Sequence, residues 1–138
     1  MSTHLRFLNP TTLSKPPTYS HVVEITGPGR IVYIAGQLGL DIDGRLVGAP
    51  GDFRAQAIQT FENLKAALAA VGATFDQVVK LNSYLTDITH LALLREVRDQ
   101  YINTNAPPAS TTLQISRLAH ERALIEIEAV AALSLAGA

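Results

Sequence analysis

Leu124-Ile125-Glu126-Ile127-Glu128-Ala129-Val130-Ala131-Ala132-Leu133 places two carboxylates two residues apart inside an otherwise apolar run. Side chains alternate along a strand, so Glu126 and Glu128 share one face while Ile125, Ile127, Ala129 and Ala131 pack into a core on the other. Carboxylates on so apolar a strand must be paired, hydrogen-bonded, protonated, or turned toward a wet cavity or another chain, because an unpaired buried charge is strongly destabilising. Glu126 and Glu128 are therefore candidates for a functional acid or base. The plainer reading is an open strand face on which two glutamates are simply solvated.

Upstream of this run the pattern alternates between strands and helices. Residues 5–8 read as a short strand closed by Asn9-Pro10, and the adjacent prolines at 16 and 17 place 14–18 in a loop. Residues 21–26 and 30–37 read as strands, and Gly27-Pro28-Gly29 between them predicts a hairpin. Asp52 is positioned to cap a helix that ends at Gly72, with Phe53, Ala57, Phe61, Leu64, Leu68 and Val71 stepping by three or four residues. A fourth strand follows at 79–85, where Val79, Leu81, Ser83 and Leu85 alternate with Lys80, Asn82 and Tyr84. A second helix spans 89–102 with Leu91, Leu94, Val97 and Tyr101 on one face. Strands at 111–118 and 124–133 close the order β-β-β-α-β-α-β-β.

The chain has 138 residues and reads as one domain over 1–138, long enough to bury an ordinary core. It contains no cysteine, which excludes disulfides, thiolate metal sites and a cysteine nucleophile. Residues 1–15 lack the long apolar segment of a signal peptide or a membrane span, so a soluble, cytoplasmic protein with no membrane partner is expected. The net charge is −1 and the basic residues are scattered, so nucleic acid is not expected as the main partner. His4, His21, His90 and His120 lie far apart with no ligand spacing, and no metal site is predicted.

Two helices can cover one face of a six-stranded mixed sheet, and nothing in the sequence supplies a layer for the other face. The face that carries the glutamates is then expected to meet another copy of the chain. A closed homo-oligomer with ligand sites where chains meet is the architecture this predicts.

Four motifs in order resemble the Rid family, the YjgF-like reactive-intermediate deaminases also labelled endoribonuclease L-PSP. They are Pro-Pro-Thr-Tyr-Ser at 16–20, Ala-Gly-Gln-Leu at 35–38, Pro-Ala-Ser-Thr-Thr at 108–112 and Ile-Glu-Ile-Glu-Ala at 125–129. The resemblance covers about residues 5–133. It implies an α+β, chorismate-mutase-like fold and a homotrimer around a central β-barrel, with three clefts between subunits. In archetypal members those clefts hydrolyse enamine or imine products such as 2-aminoacrylate to a keto acid and ammonia. No cofactor is implied.

Carried over residue by residue, the resemblance gives a mixed site. Tyr19 matches the cleft tyrosine, and Glu126 matches the glutamate that positions or activates water. Gly36 and Gln37 match a Ser-Gly-Gln motif whose serine is Ala35 here. Ser110 stands where the family has the arginine that pairs with the substrate carboxylate, and a hydroxyl does not reproduce a bidentate guanidinium–carboxylate contact. Arg95 aligns with a cleft asparagine and is a possible replacement cation; the alternative pairs it with Asp99 at i+4 on a solvated helix face. Ser110, Thr111 and Thr112 offer three hydroxyls to a ligand, although threonine also suits strands for its own sake. Arg117 and His120 are expected near a solvent-facing turn, and His21 beside Tyr19 is either structural or at the cleft border.

Hydrolysis of a C=N bond needs a held water, a nearby acid or base, and groups that fix the substrate. The leading expectation is a Rid-like hydrolase of the imine/enamine deaminase type that disfavours 2-aminoacrylate-like substrates. The alternatives are a non-catalytic small-ligand-binding or regulatory module, argued by Ser110 and Ala35, and a ribonuclease, opposed by the charge balance.

Overall fold

The computed structural model describes residues 2–135. Its strands are β1 (His4–Leu8), β2 (Val22–Thr26), β3 (Arg30–Gln37), β4 (Val78–Leu85), β5 (Ala109–Gln114) and β6 (Ile125–Leu133). Its helices are α1 (Phe53–Ala69) and α2 (Leu91–Arg98). The element order matches the one read from the sequence.

The most apolar strand takes a central place. β6 lies between β3 and β4, antiparallel to both, and β5 runs parallel to β4 at the edge, giving the order β3-β6-β4-β5. Ile125, Ile127, Ala129 and Ala131 are buried against α1 and α2, while Glu126 and Glu128 alternate onto the opposite face half-exposed. Burying the two isoleucines contributes about 1.5–3 kcal/mol each.

α1 starts where the sequence predicts. The Asp52 carboxylate accepts from the Ala55 backbone N–H at 3.0 Å, a cap that satisfies one otherwise unpaired donor. Phe53, Ala57, Phe61, Leu64 and Leu68 are buried on one stripe and meet Leu94 and Val97 of α2. Gln56, 1 % exposed, reaches from this helix to the chain entering β6. Its Oε1 accepts from Leu124 N at 2.8 Å and its Nε2 donates to Arg122 O at 3.3 Å, so α1 and the acid-bearing strand are held in register.

Four expectations are corrected. The six strands do not form one sheet: β1 and β2 make a separate antiparallel pair, with His4 opposite Thr26 and Leu8 opposite Val22. β2 and β3 accordingly are not hairpin partners; β3 pairs with β6. Gly27, at φ +86°, and Pro28, which has no N–H to continue a ladder, redirect the chain between them. β2 leaves Val22 and Ile25 exposed on the small sheet, whereas β3 contributes Ile34 to the core. Thr3, just before β1, secures the small sheet by donating its hydroxyl to Pro28 O at 2.5 Å and its N–H to Ser134 Oγ at 3.2 Å.

The third correction concerns α2, which is shorter than the predicted 89–102. A single tight turn, Ile88–His90, precedes it, begun by Asp87 accepting from Thr89 N at 2.9 Å, and the helix ends with Asp99 as its C-cap. β5 likewise ends at Gln114 rather than continuing to 118.

The second face of the four-stranded sheet has no covering layer in the described chain. Ile31 and Tyr33 of β3 are 50 % and 80 % exposed, and Leu113 of β5 is 49 % exposed. Glu126, Glu128, Tyr84 and Asn82 lie between them by register. No helix among the described residues is long and apolar enough to cross a membrane.

Candidate functional site

The sequence-predicted site residues fall into two groups. Tyr19, Arg95, Ser110 and Thr112 come together around a cavity of about 190 Å³, which Thr18, Ile88, Leu91 and Arg98 complete. Ser110 and Thr112 sit opposite the buried residues Leu81 and Ser83 in the parallel β4–β5 pair, so they point to the helix side of the sheet. Arg95 and Arg98 are three residues apart on α2 and therefore share one helix face.

Tyr19 belongs to a distant loop, and two bonds from Ser20 bring it here. The Ser20 hydroxyl donates to Pro107 O at 2.5 Å, and its backbone N–H donates to Pro108 O at 3.3 Å. Ser20 itself is 1 % exposed, so this tie is out of water. The Tyr19 ring meets His21 edge-on at 5.3 Å between centroids. His21 is in turn fixed by its Nε2 contact to Ser14 O at 2.6 Å and its N–H donated to Asn9 Oδ1 at 2.8 Å. His21 thus supports Tyr19 from outside the cavity.

The second group lies at the end of β3 and on the open sheet face. Between Ile34 and Gln37 the β3–β6 ladder is interrupted, and Gly36 in this bulge approaches Glu126. A Cβ at position 36 would stand 2.7 Å from Glu126 Oε1 and 2.8 Å from its carboxyl carbon, so only glycine leaves the carboxylate in place. Gln37 folds back, its Nε2 donating to Ala35 O at 3.1 Å.

The two glutamates differ in their partners. Tyr84 lies directly opposite Glu126, and its phenol donates a short hydrogen bond to Glu128 Oε1. That bond, followed by burial and by the charges of Glu128 and Glu126, pushes the Tyr84 phenol above its ordinary pKa. Glu126 takes no part in the ion pairs among the described residues, which are Arg6–Glu24, Arg54–Glu96 and Arg98–Asp99.

Several expectations change here. Thr111 does not line the cavity: it faces the other side of the sheet, where its hydroxyl accepts from Lys80 Nζ at 2.8 Å. Ala35, Gly36, Gln37 and Glu126 do not line it either. The surface reading of Arg95 paired with Asp99 gives way, because the Asp99 carboxylate accepts from Arg98 Nε at 3.2 Å and Nη2 at 3.0 Å. Arg117 is spent on carbonyls of its own turn, Leu118 O at 3.1 Å and Ala119 O at 3.5 Å, and His120 Nδ1 accepts from Arg122 N at 3.2 Å.

Of the four cavity residues that sequence reasoning missed, Arg98 is the charged one. Its i+3 spacing from Arg95 was the available signal. Among the described residues no group of three or more histidine, aspartate or glutamate side chains comes together as a metal-ligand set.

The fold recurs in known proteins. The family model for endoribonuclease L-PSP matches residues 12–133. Protein DfrA of Myxococcus xanthus is 40 % identical over 113 residues, 82 % of this chain and 83 % of that protein. A crystal structure of a conserved Rid family protein from Yersinia pestis superposes with a TM-score of 0.77 at 34 % identity, covering 92 % of this chain and 97 % of the other. The RidA structure from an Antarctic Psychrobacter gives a TM-score of 0.68 at 36 % identity, covering 86 % and 90 %. The motifs at 16–20, 35–38, 108–112 and 125–129 lie within or about these matched regions, and the chain belongs to the endoribonuclease L-PSP family, the Rid or YjgF-like group.

Proposed function

We propose that the protein is a Rid-like hydrolase that converts a small anionic imine or enamine to a carbonyl compound and ammonia. The observation that carries this reading is the position of Arg95, which lines one cavity with Tyr19, Ser110 and Thr112. A guanidinium on α2 supplies the anion anchor that the Ser110 substitution removes from β5. It has no ion-pair partner among the described residues, so it is available to a ligand carboxylate.

The reaction needs water added across C=N. Glu126 takes a proton from water as its oxygen bonds to the imine carbon, and the nitrogen gains a proton. The carbinolamine then collapses as its hydroxyl proton is passed to nitrogen through Glu126, which breaks the C–N bond, releases ammonia and leaves the carbonyl. Tyr19 and the hydroxyls of Ser110 and Thr112 orient the polar groups of the substrate.

Glu126 and the Arg95 cavity lie on opposite faces of the sheet in one protomer. The proposal therefore includes a homotrimer in which Glu126 of one protomer faces the β5 edge and cavity of the next. The exposure of Tyr33, Ile31 and Leu113 on the sheet face that also carries Glu126 supports burial of that face against another copy. An anchor on α2 rather than β5 also alters the spacing between carboxylate and water, which favours substrates other than 2-aminoacrylate.

A second reading, a ligand-binding module without turnover, draws on Ser110 and Ala35 in place of the arginine and serine that the family motifs carry. The test is ammonia release from a panel of carboxylated imines generated in situ, with the parent protein and Glu126→Gln assayed together. Turnover by the parent that Glu126→Gln abolishes supports the hydrolase; binding of the panel without turnover supports the module.

A further inference from the structure

Resting on that reading of the cavity, we infer that its ligand carries two anionic groups, with Arg95 holding one carboxylate and Arg98 the other. The ligand class is a short dicarboxylic 2-imino acid or its enamine.

The argument begins with the unspent donors of Arg98. The residue is 8 % exposed, and a guanidinium has five N–H donors, of which two go to Asp99 Oδ1 through Nε and Nη2. Three remain without an acceptor among the described residues. These donors are open to the cavity itself and to a smaller one of about 60 Å³ beside it, where they can be met by a ligand acceptor. Arg98 and Thr18 border both, so this guanidinium marks one end of the larger cavity.

The rest of the lining has the same sense. Thr18, Tyr19, Ser110 and Thr112 bring hydroxyls, and no carboxylate lines the larger cavity. Asp99 borders only the smaller space and is itself 45 % exposed at its side chain, so it offsets Arg98 incompletely. Residues three apart on a helix are offset by about 4.5 Å along the axis at the backbone, an offset on the scale of the two ends of a four- or five-carbon diacid. A monocarboxylate would occupy Arg95 and leave Arg98 unsatisfied. Phosphate, with its charge at a single centre, would have to draw both guanidiniums to one point.

The test uses calorimetric binding of keto-acid products to the purified full-length protein. We expect 2-oxoglutarate or oxaloacetate to bind at least tenfold more tightly than 2-oxobutyrate, and Arg98→Gln to erase that preference while leaving 2-oxobutyrate affinity within twofold. Because Arg98 is buried, Asp99→Asn provides a second variant: it releases the guanidinium and is expected to widen the preference for the diacids. Equal affinity for diacid and monoacid in the parent, with Arg95→Ala weakening both, removes the second anion and leaves the hydrolase reading intact. No effect of Arg95→Ala on any keto acid sinks the cavity reading beneath it. Tighter binding of inorganic phosphate than of either keto acid also overturns the dicarboxylate assignment.

Discussion

The phenol of Tyr84 donates to Glu128, yet the residue directly opposite Tyr84 across the β4–β6 pair is Glu126. The bond thus crosses diagonally, engaging one carboxylate of the pair and leaving its neighbour available. Two glutamates that look equivalent in sequence are given different work by one hydroxyl.

Substitution separates them. Glu126→Gln is expected to lower imine turnover by roughly two orders of magnitude or more, the scale of losing general-base assistance, with little change in melting temperature. Glu128→Gln is expected to do the reverse, lowering the melting temperature while turnover stays within a few-fold. Ammonia-release kinetics and thermal melts on both variants decide the matter, and equal turnover in Glu126→Gln and parent reassigns Glu126 to a structural role.

Restoring the family anchor tests where the cation now sits. Hydrolysis of 2-aminoacrylate or 2-iminobutyrate by the parent is expected to be slow, and Ser110→Arg is expected to raise it. The gain is expected to be larger in Ser110→Arg combined with Arg95→Ala, because a third guanidinium beside Arg95 and Arg98 in one small cavity is repelled. Fast hydrolysis by the parent that Arg95→Ala abolishes, while Arg117→Ala leaves it unchanged, would instead show that the α2 cation serves the archetypal substrates directly.

Assembly can be probed from the open sheet face. Tyr33 is 80 % exposed and Ile31 50 % exposed in the single chain. The parent is expected to be a trimer by multi-angle light scattering at micromolar concentration, and Ile31→Asp combined with Tyr33→Glu to dissociate it and abolish turnover. A stable, fully active monomer removes the intersubunit site.

Alkaline stability follows from Tyr101, whose ring stacks on Phe61 at 5.1 Å between centroids. Burial, then a hydrogen bond and the charge of Glu62, push its phenol up to about 12. The folded state holds this proton more tightly than the unfolded state, whose phenol titrates near 10. The contribution is therefore fully present below pH 10 and is lost as pH rises toward 12. Urea unfolding at intervals from pH 9 to 11.5 is expected to show the decline, and Tyr101→Phe to flatten it.

How far the sequence was legible depended on whether a signal was local. Alternation along β6 and the three-to-four stepping of α1 are set by backbone geometry, and both appear in the fold with the expected faces buried. The partner of β2 was not legible, because Gly27-Pro28-Gly29 specifies a change of direction and says nothing of which distant strand receives the chain. Arg95 and Asp99 keep the i+4 backbone relation as α2 ends at Arg98, Asp99 N donating to Arg95 O at 3.0 Å, but their side chains do not pair. Asp99 then becomes the cap and meets its immediate neighbour, while Arg95 is released toward Tyr19 and Ser110. The apolar spacing through Tyr101 concealed that ending.

The bulge in β3 bears on how this site can change. Where the ladder skips between Ile34 and Gln37, the sheet has already given up regular pairing at positions 35 and 36. A side chain at position 36 would displace the Glu126 carboxylate, but Ala35 is exposed and adjacent. A side chain exchanged there disturbs neither the core nor an intact run of strand hydrogen bonds. Position 35 is thus a place where a side chain can be exchanged at little cost to folding, next to a position where any side chain displaces the Glu126 carboxylate.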